Sequence, residues 1–344
     1  MANSYLKTYF TVLLTILLLV GLVNLAVDPL WYGQGNLITN VNPPWNERLA
    51  KTNLLLQNPQ AYDCLILGTS RATLLNSAFL QNNRCFNYAF SGGKPEELVN
   101  YAEYVQQQGI SPSRVYVEIE PSGLNRRAQS RQFAEVTDPL PMYQAYLFSF
   151  DTFWLSLKTL AQDYSYARLY DHNFQVQLSE EIPRYQPEFD VENEDHLGCD
   201  PSRIQFYQSL RQIFSQAELI GFVAPVSVWR VYNMQYANGL LNCQLSGIHQ
   251  LASTFDAIYD FSVPSPVTER TDNTYDGNHY YPAVFQQVAA VLEGRTTVRP
   301  ETFGMKVASN SLADYQSLYQ RRMRSFLARV DSDDRPELRR PSKS

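Results

Sequence analysis

The run Phe10 to Val27 constrains this chain more than any other feature: it holds no charged residue, and only Thr, Gly and Asn interrupt its apolar side chains. About eighteen such residues lie near the lower limit for a membrane-spanning helix and exceed the usual core of a signal peptide. Lys7 precedes the run and Asp28-Pro29 follow it, an asymmetry that puts the positive flank in the cytoplasm and the bulk of the chain outside. A cleaved signal peptide is the competing reading, but Leu25-Ala26-Val27 is not a small-x-small cleavage site. The chain reads as a single-pass membrane protein with residues 1–8 cytoplasmic, 9–27 an uncleaved transmembrane anchor, and the main domain extracytoplasmic (periplasmic or at the cell surface).

Residues 28–60 are rich in Asn and Pro before an amphipathic stretch at Asn46 to Leu56, and read as a stalk with one short helix. From Tyr62 the pattern changes. Apolar runs at Tyr62 to Leu67, Cys85 to Phe90 and Val115 to Ile119 alternate with helix-compatible segments at Arg71 to Leu80 and Pro95 to Gln108. Pro95 suits a first helical turn and Gly109 a stop. This βαβαβ alternation predicts an α/β fold: a mostly parallel sheet with helices on both faces, whose ligands bind beyond the C-terminal strand ends. Gly68-Thr69-Ser70, Ser91-Gly92-Gly93 and Glu120-Pro121-Ser122 all fall at that edge.

Between 123 and 201 the alternation stops, as in an insertion or lid. This span has one helical pattern, Asp151 to Asp163 with Phe153, Trp154 and Leu157 on one face, and an acidic stretch from Leu178 to Asp200. Helices at Ser202 to Gln216, Gly247 to Thr254 and Pro282 to Leu292, with strands at Leu219 to Ala224 and Ala257 to Phe261, complete a domain over 61–294. Residues 295–344 change character: Asp314 to Val330 is helix-compatible and carries Arg321, Arg322, Arg324 and Arg329, and a charged, Pro-containing tail from Ser332 reads as disordered.

Several function classes drop out. With 28 basic and 34 acidic residues the net charge is −6, which does not favour nucleic acid. Four cysteines allow three pairings; Cys64 and Cys85 open apolar runs and read as small core residues, while Cys199 and Cys243 sit in polar surroundings and read as the disulfide. No CxxC suggests zinc. Asp272 to Gly277 begins like a calcium loop, but Thr274 replaces an expected ligand and Ala283 stands where the bidentate Glu belongs. No metal or organic cofactor is implied. His172, His196 and His249 have no partner pattern and read as structural.

What remains is chemistry. Cys64-Leu65-Ile66-Leu67 leads into Gly68-Thr69-Ser70-Arg71, a strand ending in a turn that presents a serine. Asp276-Gly277-Asn278-His279 supplies an acid and an imidazole three positions apart, enough to complete a Ser-His-Asp triad. These residues resemble the SGNH/GDSL hydrolase superfamily, with Gly68-Thr69-Ser70 as the first block, Gly92 or Gly93 as the second and Asp276-x-x-His279 as the last. The resemblance covers about residues 60 to 293 and, with the serine first in chain order behind a single anchor, is closest to membrane-anchored DltD-like members. It departs from the alginate-acetylation type, in which acid and histidine precede the serine, and from the G-x-S-x-G elbow of α/β-hydrolases.

The resemblance implies a three-layer α/β/α flavodoxin-like domain acting as an esterase or O-acyltransferase on a cell-envelope polysaccharide or polymer ester. Ser70 would be the nucleophile, His279 the base and Asp276 its orienter, with the amides of Ser70 and Gly92 or Gly93 facing the oxyanion. Arg71, Glu120 and Asn278 would be possible substrate contacts, Arg71 either toward an anion or as a helix cap. Glu118 and Glu120 alternate on a strand that ends at the site and read as one site-facing acid and one structural acid. One family block is absent: Val115 to Ile119 runs into Glu120-Pro121-Ser122-Gly123 rather than an Asn block, and Asn125 falls at the wrong spacing. The alternative is a non-catalytic relative that binds glycan or a membrane-bound acyltransferase partner.

Overall fold

The computed structural model describes residues 2–126, 146–166, 168–179, 182, 184–191, 198–299 and 301–332. His196 and the tail beyond Ser332 lie outside the described residues, as does part of the acidic stretch before Asp200. Along the chain come α1 (Ala2–Val27), β1 (Val41–Asn42), α2 (Glu47–Gln57), β2 (Cys64–Leu67), β3 (Cys85–Asn87), α3 (Pro95–Gln107) and β4 (Arg114–Glu118). Next are α4 (Phe150–Leu160), β5 (Arg168–Asp171), β6 (Val176–Leu178), α5 (Ile204–Ile213), β7 (Glu218–Val223), α6 (Val228–Val231) and α7 (Leu241–Leu251). The series closes with β8 (Ala257–Asp260), α8 (Pro282–Leu292), β9 (Met305–Lys306) and α9 (Leu312–Asp331). Two compact units result: Met1–Pro59 with Gln132–Ile182, and Gln60–Arg131 with Pro183–Ser344.

In the second unit the sheet order is β3-β2-β4-β7-β8-β9, parallel except for β9, which runs antiparallel to β8. Counted from β2, the five parallel strands follow the flavodoxin-like order 2-1-3-4-5. The chain turns from one side of β2 to the other, so the topological switch lies between β2 and β4. Cys64 to Leu67 are fully buried, as a strand covered on both faces requires. Helices flank the sheet: α3 packs on α5, α5 on α7 and α7 on α9, while α8 meets the short turn Ser77–Phe79. This is the α/β architecture that the alternating patterns predict.

The structure differs from the sequence reading in several places. Arg71 to Leu80 forms two 3₁₀ turns, Ala72–Leu74 and Ser77–Phe79, not a helix. Asn87 on β3 is the physical cause: its amide donates to the carbonyls of Ala72 at 2.8 Å and Leu75 at 2.9 Å, groups a continuing helix would have used. Gly247 lies inside α7 rather than at its start. Cys64 and Cys85, read as small core residues, form a disulfide, because parallel pairing of β2 and β3 sets their Cα atoms 4.2 Å apart. Cys199 and Cys243 are bonded as well. Nor does the fold stop at residue 294, since β9 extends the sheet and the Tyr315 hydroxyl on α9 donates to the buried carboxylate of Asp260.

The first unit has its own antiparallel sheet, β1-β5-β6. Trp31, Ala50, Tyr170 and Phe174 form a buried cluster there, so the segment that reads as a stalk is folded. Within α1, the span Ser4–Val27 contains an 18-residue window of mean hydropathy 2.6 and is long and apolar enough to cross a membrane.

Candidate active site

Ser70 follows the C-terminal end of β2, beside the topological switch. The turn that carries it is held from β4. The Glu118 carboxylate is fully buried, and its Oε2 accepts from the Thr69 amide at 2.7 Å, the Thr69 hydroxyl at 2.9 Å and the Ala72 amide at 3.3 Å. Gly68 is needed for this approach: a Cβ there would stand 2.6 Å from the Cβ atoms of Ala72 and Glu118. The Thr73 hydroxyl donates to the Ser70 carbonyl at 2.6 Å and fixes the backbone on the far side.

Arg71 is 7% exposed and faces inward. Its Nε donates to Glu118 Oε1 at 3.0 Å and its Nη2 pairs with Glu120 Oε2, while Ser122 Oγ donates to Glu120 Oε1 at 2.8 Å. Burial opposes the charge on Arg71, but the two carboxylates outweigh it and hold the guanidinium protonated. Burial likewise raises Glu118, with Arg71 acting against it; for Glu120 the Arg71 charge prevails over burial and its pKa falls. Arg71 is therefore turned away from the surface, and Glu120 is engaged by Arg71 and Ser122. With Glu118 they form a clamp behind Ser70, in which Glu118 and Arg71 are buried and Glu120 is half-buried.

The histidine arrives on the loop after β8. His279 Nε2 lies 2.8 Å from Ser70 Oγ, across 209 residues of sequence, and His279 Nδ1 lies 2.5 Å from Asp276 Oδ2. An ionised carboxylate only accepts, so Nδ1 carries the proton and Nε2 accepts from the serine hydroxyl. Burial works against the Asp276 charge, but the hydrogen bond and attraction of His279, with the amides of Asn278 and His279, bring its pKa below the ordinary range. Those amides donate to Asp276 Oδ1 at 2.9 and 2.8 Å, so one short loop positions both acid and imidazole. Gly277 permits the turn: it adopts φ 81°, and a Cβ would stand 2.7 Å from the Tyr185 ring and 2.8 Å from Arg230 Cγ. The Tyr275 ring lies parallel to the imidazole, with centroids 5.4 Å apart.

The expected oxyanion donors divide. The Gly93 amide donates to the Phe90 carbonyl at 3.2 Å, which leaves Gly92, at φ 65°, as the glycine of the pair for that role alongside Ser70. Asn125 is buried and its amide oxygen accepts from Gln244 at 2.9 Å, a structural contact. With its amide oxygen toward Arg230, Asn278 accepts from Nε and Nη2 at 3.3 Å. Tyr275 and Asn87 escaped sequence reasoning; a polar residue inside the apolar run Cys85 to Phe90 was the available signal for Asn87. Among the described residues, no group of three or more His, Cys, Asp or Glu could hold a metal ion.

No family model matches the chain, and no curated protein does. Among solved structures it is similar to a candidate acylhydrolase from Bacteroides fragilis, with TM-score 0.37 and 10% identity over 74% of this chain and 97% of that one. The geometry of the site, not this likeness, carries the functional reading.

Proposed function

We propose that the protein is a membrane-anchored, extracytoplasmic SGNH-type esterase or O-acyltransferase that works through an acyl-serine intermediate on an ester of a cell-envelope polysaccharide or polymer. The observation that carries this reading is the Ser70–His279–Asp276 hydrogen-bond relay at the C-terminal edge of a parallel sheet.

In the first half-reaction Ser70 Oγ attacks the ester carbonyl carbon as its proton passes to His279 Nε2. The oxyanion develops against the amides of Ser70 and Gly92; a donor of this kind contributes about 3–4 kcal/mol to the transition state. Collapse breaks the ester C–O bond, and His279 returns the proton to the departing alkoxide. The acyl group stays on Ser70. Water or an acceptor hydroxyl then gives a proton to His279 and attacks the acyl carbon, and His279 returns that proton to Ser70 Oγ as the acyl–oxygen bond breaks. Asp276 keeps the imidazole in the required tautomer throughout.

Two observations support the location. Both disulfides suit an oxidising compartment. The outer end of α1 is tied into its unit through Asn24, a fully buried side chain whose amide donates to the carbonyls of Leu147 at 2.8 Å and Ser149 at 3.0 Å. Cleavage after Ala26 or Val27 would discard those bonds.

A second reading, a non-catalytic glycan- or acyltransferase-binding relative, draws on the segment after β4. There Glu120, Pro121 and Ser122 stand in place of a side-chain amide donor, and the Gly93 amide is already engaged. Turnover of p-nitrophenyl acetate separates the two. The enzyme reading expects Ser70→Ala and His279→Ala each to reduce kcat/KM by about 10⁴-fold or more without loss of fold. Activity retained in either variant would overturn the triad, and none in the wild type would favour the binding role.

A further inference from the structure

Helix α4 is inside out for a helix in water. Its buried side chains are Thr152, Ser156 and Thr159, whereas Phe150 and Trp154 are 60% and 59% exposed and Phe148 and Leu157 are exposed beside them. The polar face has its partners inside the unit. Ser156 Oγ donates to Asn24 Oδ1 at 3.2 Å, and Thr159 Oγ1 accepts from Trp45 Nε1 at 2.9 Å. Such a helix has no reason to turn its aromatic side chains outward unless the medium there is apolar.

Its position says which medium. Asn24 ties the start of α4 to the last turns of α1 through the Leu147 and Ser149 carbonyls. The Phe148 ring lies over Gly21 of α1, 3.1 Å from where a Cβ would be. A second exposed apolar pair, Leu37 and Ile38, is anchored at the same end, since the Leu37 amide donates to the Ala26 carbonyl at 3.0 Å. Gly21 and Ala26 are separated by about 7.5 Å along a helix axis. Interfacial segments bury their apolar faces about 5–10 Å into a bilayer, so this collar has the matching depth. Lys158 lies 5.8 Å from the Trp154 ring, the pairing of belt aromatic and long basic side chain that suits the headgroup layer.

We propose that α4 and the Leu37–Ile38 turn are immersed in the outer interfacial layer of the membrane, beside α1, and that lipid is the occupant of this face. The inference rests on α1 being a membrane anchor. Phe148 packs at Gly21 of α1, and Leu22 and Leu25 in the same turns of α1 are exposed as well. A spanning α1 must meet lipid there, so lipid covers both without a further partner.

The test uses the full chain in phosphatidylcholine–phosphatidylglycerol vesicles whose acyl chains carry bromine at a shallow or a deep position. Emission of the wild type minus that of Trp154→Phe isolates Trp154 from Trp31, Trp45 and Trp229. Shallow bromines should quench that difference at least twofold, deep bromines less, and aqueous iodide little. Quenching by iodide alone would place Trp154 in water, and protection from both quenchers would place a protein over it; either result overturns the proposal. Flotation of the same vesicles separates the two levels. A chain that does not float loses both anchor and collar, whereas a floating chain with unquenched Trp154 loses the collar alone. If Trp154→Phe does not fold, a nitroxide on Phe150→Cys, read for oxygen against aqueous nickel accessibility, gives the same decision.

Discussion

Replacing Glu118 with glutamine asks how the turn that carries Ser70 is held. One oxygen of Glu118 accepts from the Thr69 amide, the Thr69 hydroxyl and the Ala72 amide, and the other accepts from Arg71 Nε at 3.0 Å. Glutamine keeps a single acceptor oxygen. If that oxygen stays on the Thr69 turn, the new NH₂ confronts the Arg71 guanidinium, donor against donor. Losing a charge-assisted hydrogen bond costs about 1.5–3 kcal/mol, and removing one partner of a buried ion pair about 3–5 kcal/mol. Glu120 remains paired with Arg71, so the lower end applies and we expect about 3 kcal/mol of destabilisation. Glu118→Ala, which also orphans the Thr69 amide, should cost about 5 kcal/mol. Displacement of the turn by about 1 Å would lower turnover roughly 10²-fold, as a fall in kcat with KM little changed. Urea unfolding followed by circular dichroism reads the first effect, and ester hydrolysis at low urea reads the second. A Glu118→Gln protein within about 0.5 kcal/mol of wild type, the ordinary range for inconsequential changes, and with unchanged kcat would refute the clamp.

Asp276→Asn should reduce kcat less than His279→Ala, roughly 10⁴-fold against 10⁶-fold if this triad behaves like other serine triads, because Asp276 orients and does not transfer the proton; equal losses would contradict that division. Because the Asp276 pKa is lowered in the folded state, its contribution to stability is present above the unfolded carboxylate value near 3.9 and lost as pH falls through the folded value. The acid limb of an unfolding titration should therefore flatten in Asp276→Asn. Lys51 is fully buried, and burial pushes its pKa down to about 7, with Glu47 pulling upward and Arg168 downward. From pH 7 to 10 the unfolded chain then binds a proton the folded chain does not, so stability rises with pH there, and Lys51→Met should remove that slope in pH-dependent denaturation. Replacing Cys64 and Cys85 together by alanine opens a loop of 21-residue separation and should cost about 3 kcal/mol in the chain-entropy estimate; a variant as stable as wild type under oxidising conditions would count against that bridge.

The sheet was legible because its central strands are buried: Cys64 to Leu67 is a continuous apolar run that ends in turn residues, and Val115 to Ile119 is apolar apart from Glu118, and such runs have few alternatives. Ser70, Asp276 and His279 were legible because each sits at a strand end or in a tight turn whose residue types restrict the backbone. The clamp was not. In sequence Glu118 and Glu120 read as one site-facing and one structural acid and Arg71 as an anion contact or a helix cap, and only the pairing of β2 with β4 shows that Arg71 is held by both carboxylates. The disulfide between Cys64 and Cys85 was hidden for a related reason, since it depends on strand register and not on composition. In α4 the periodicity placed Phe153, Trp154 and Leu157 on one face, and the ordinary rule would bury that face. The rule reverses if the medium there is apolar, and periodicity does not report the medium.

The central claim is that folding makes Ser70 a nucleophile. Incubating the full chain with a fluorophosphonate and mapping the adduct by peptide mass spectrometry tests it directly. One adduct on the peptide containing Ser70, absent in Ser70→Ala and slowed by orders of magnitude in His279→Ala, is the predicted result. A wild-type protein that stays unlabelled, or labels at another residue while Ser70 is intact, would contradict it.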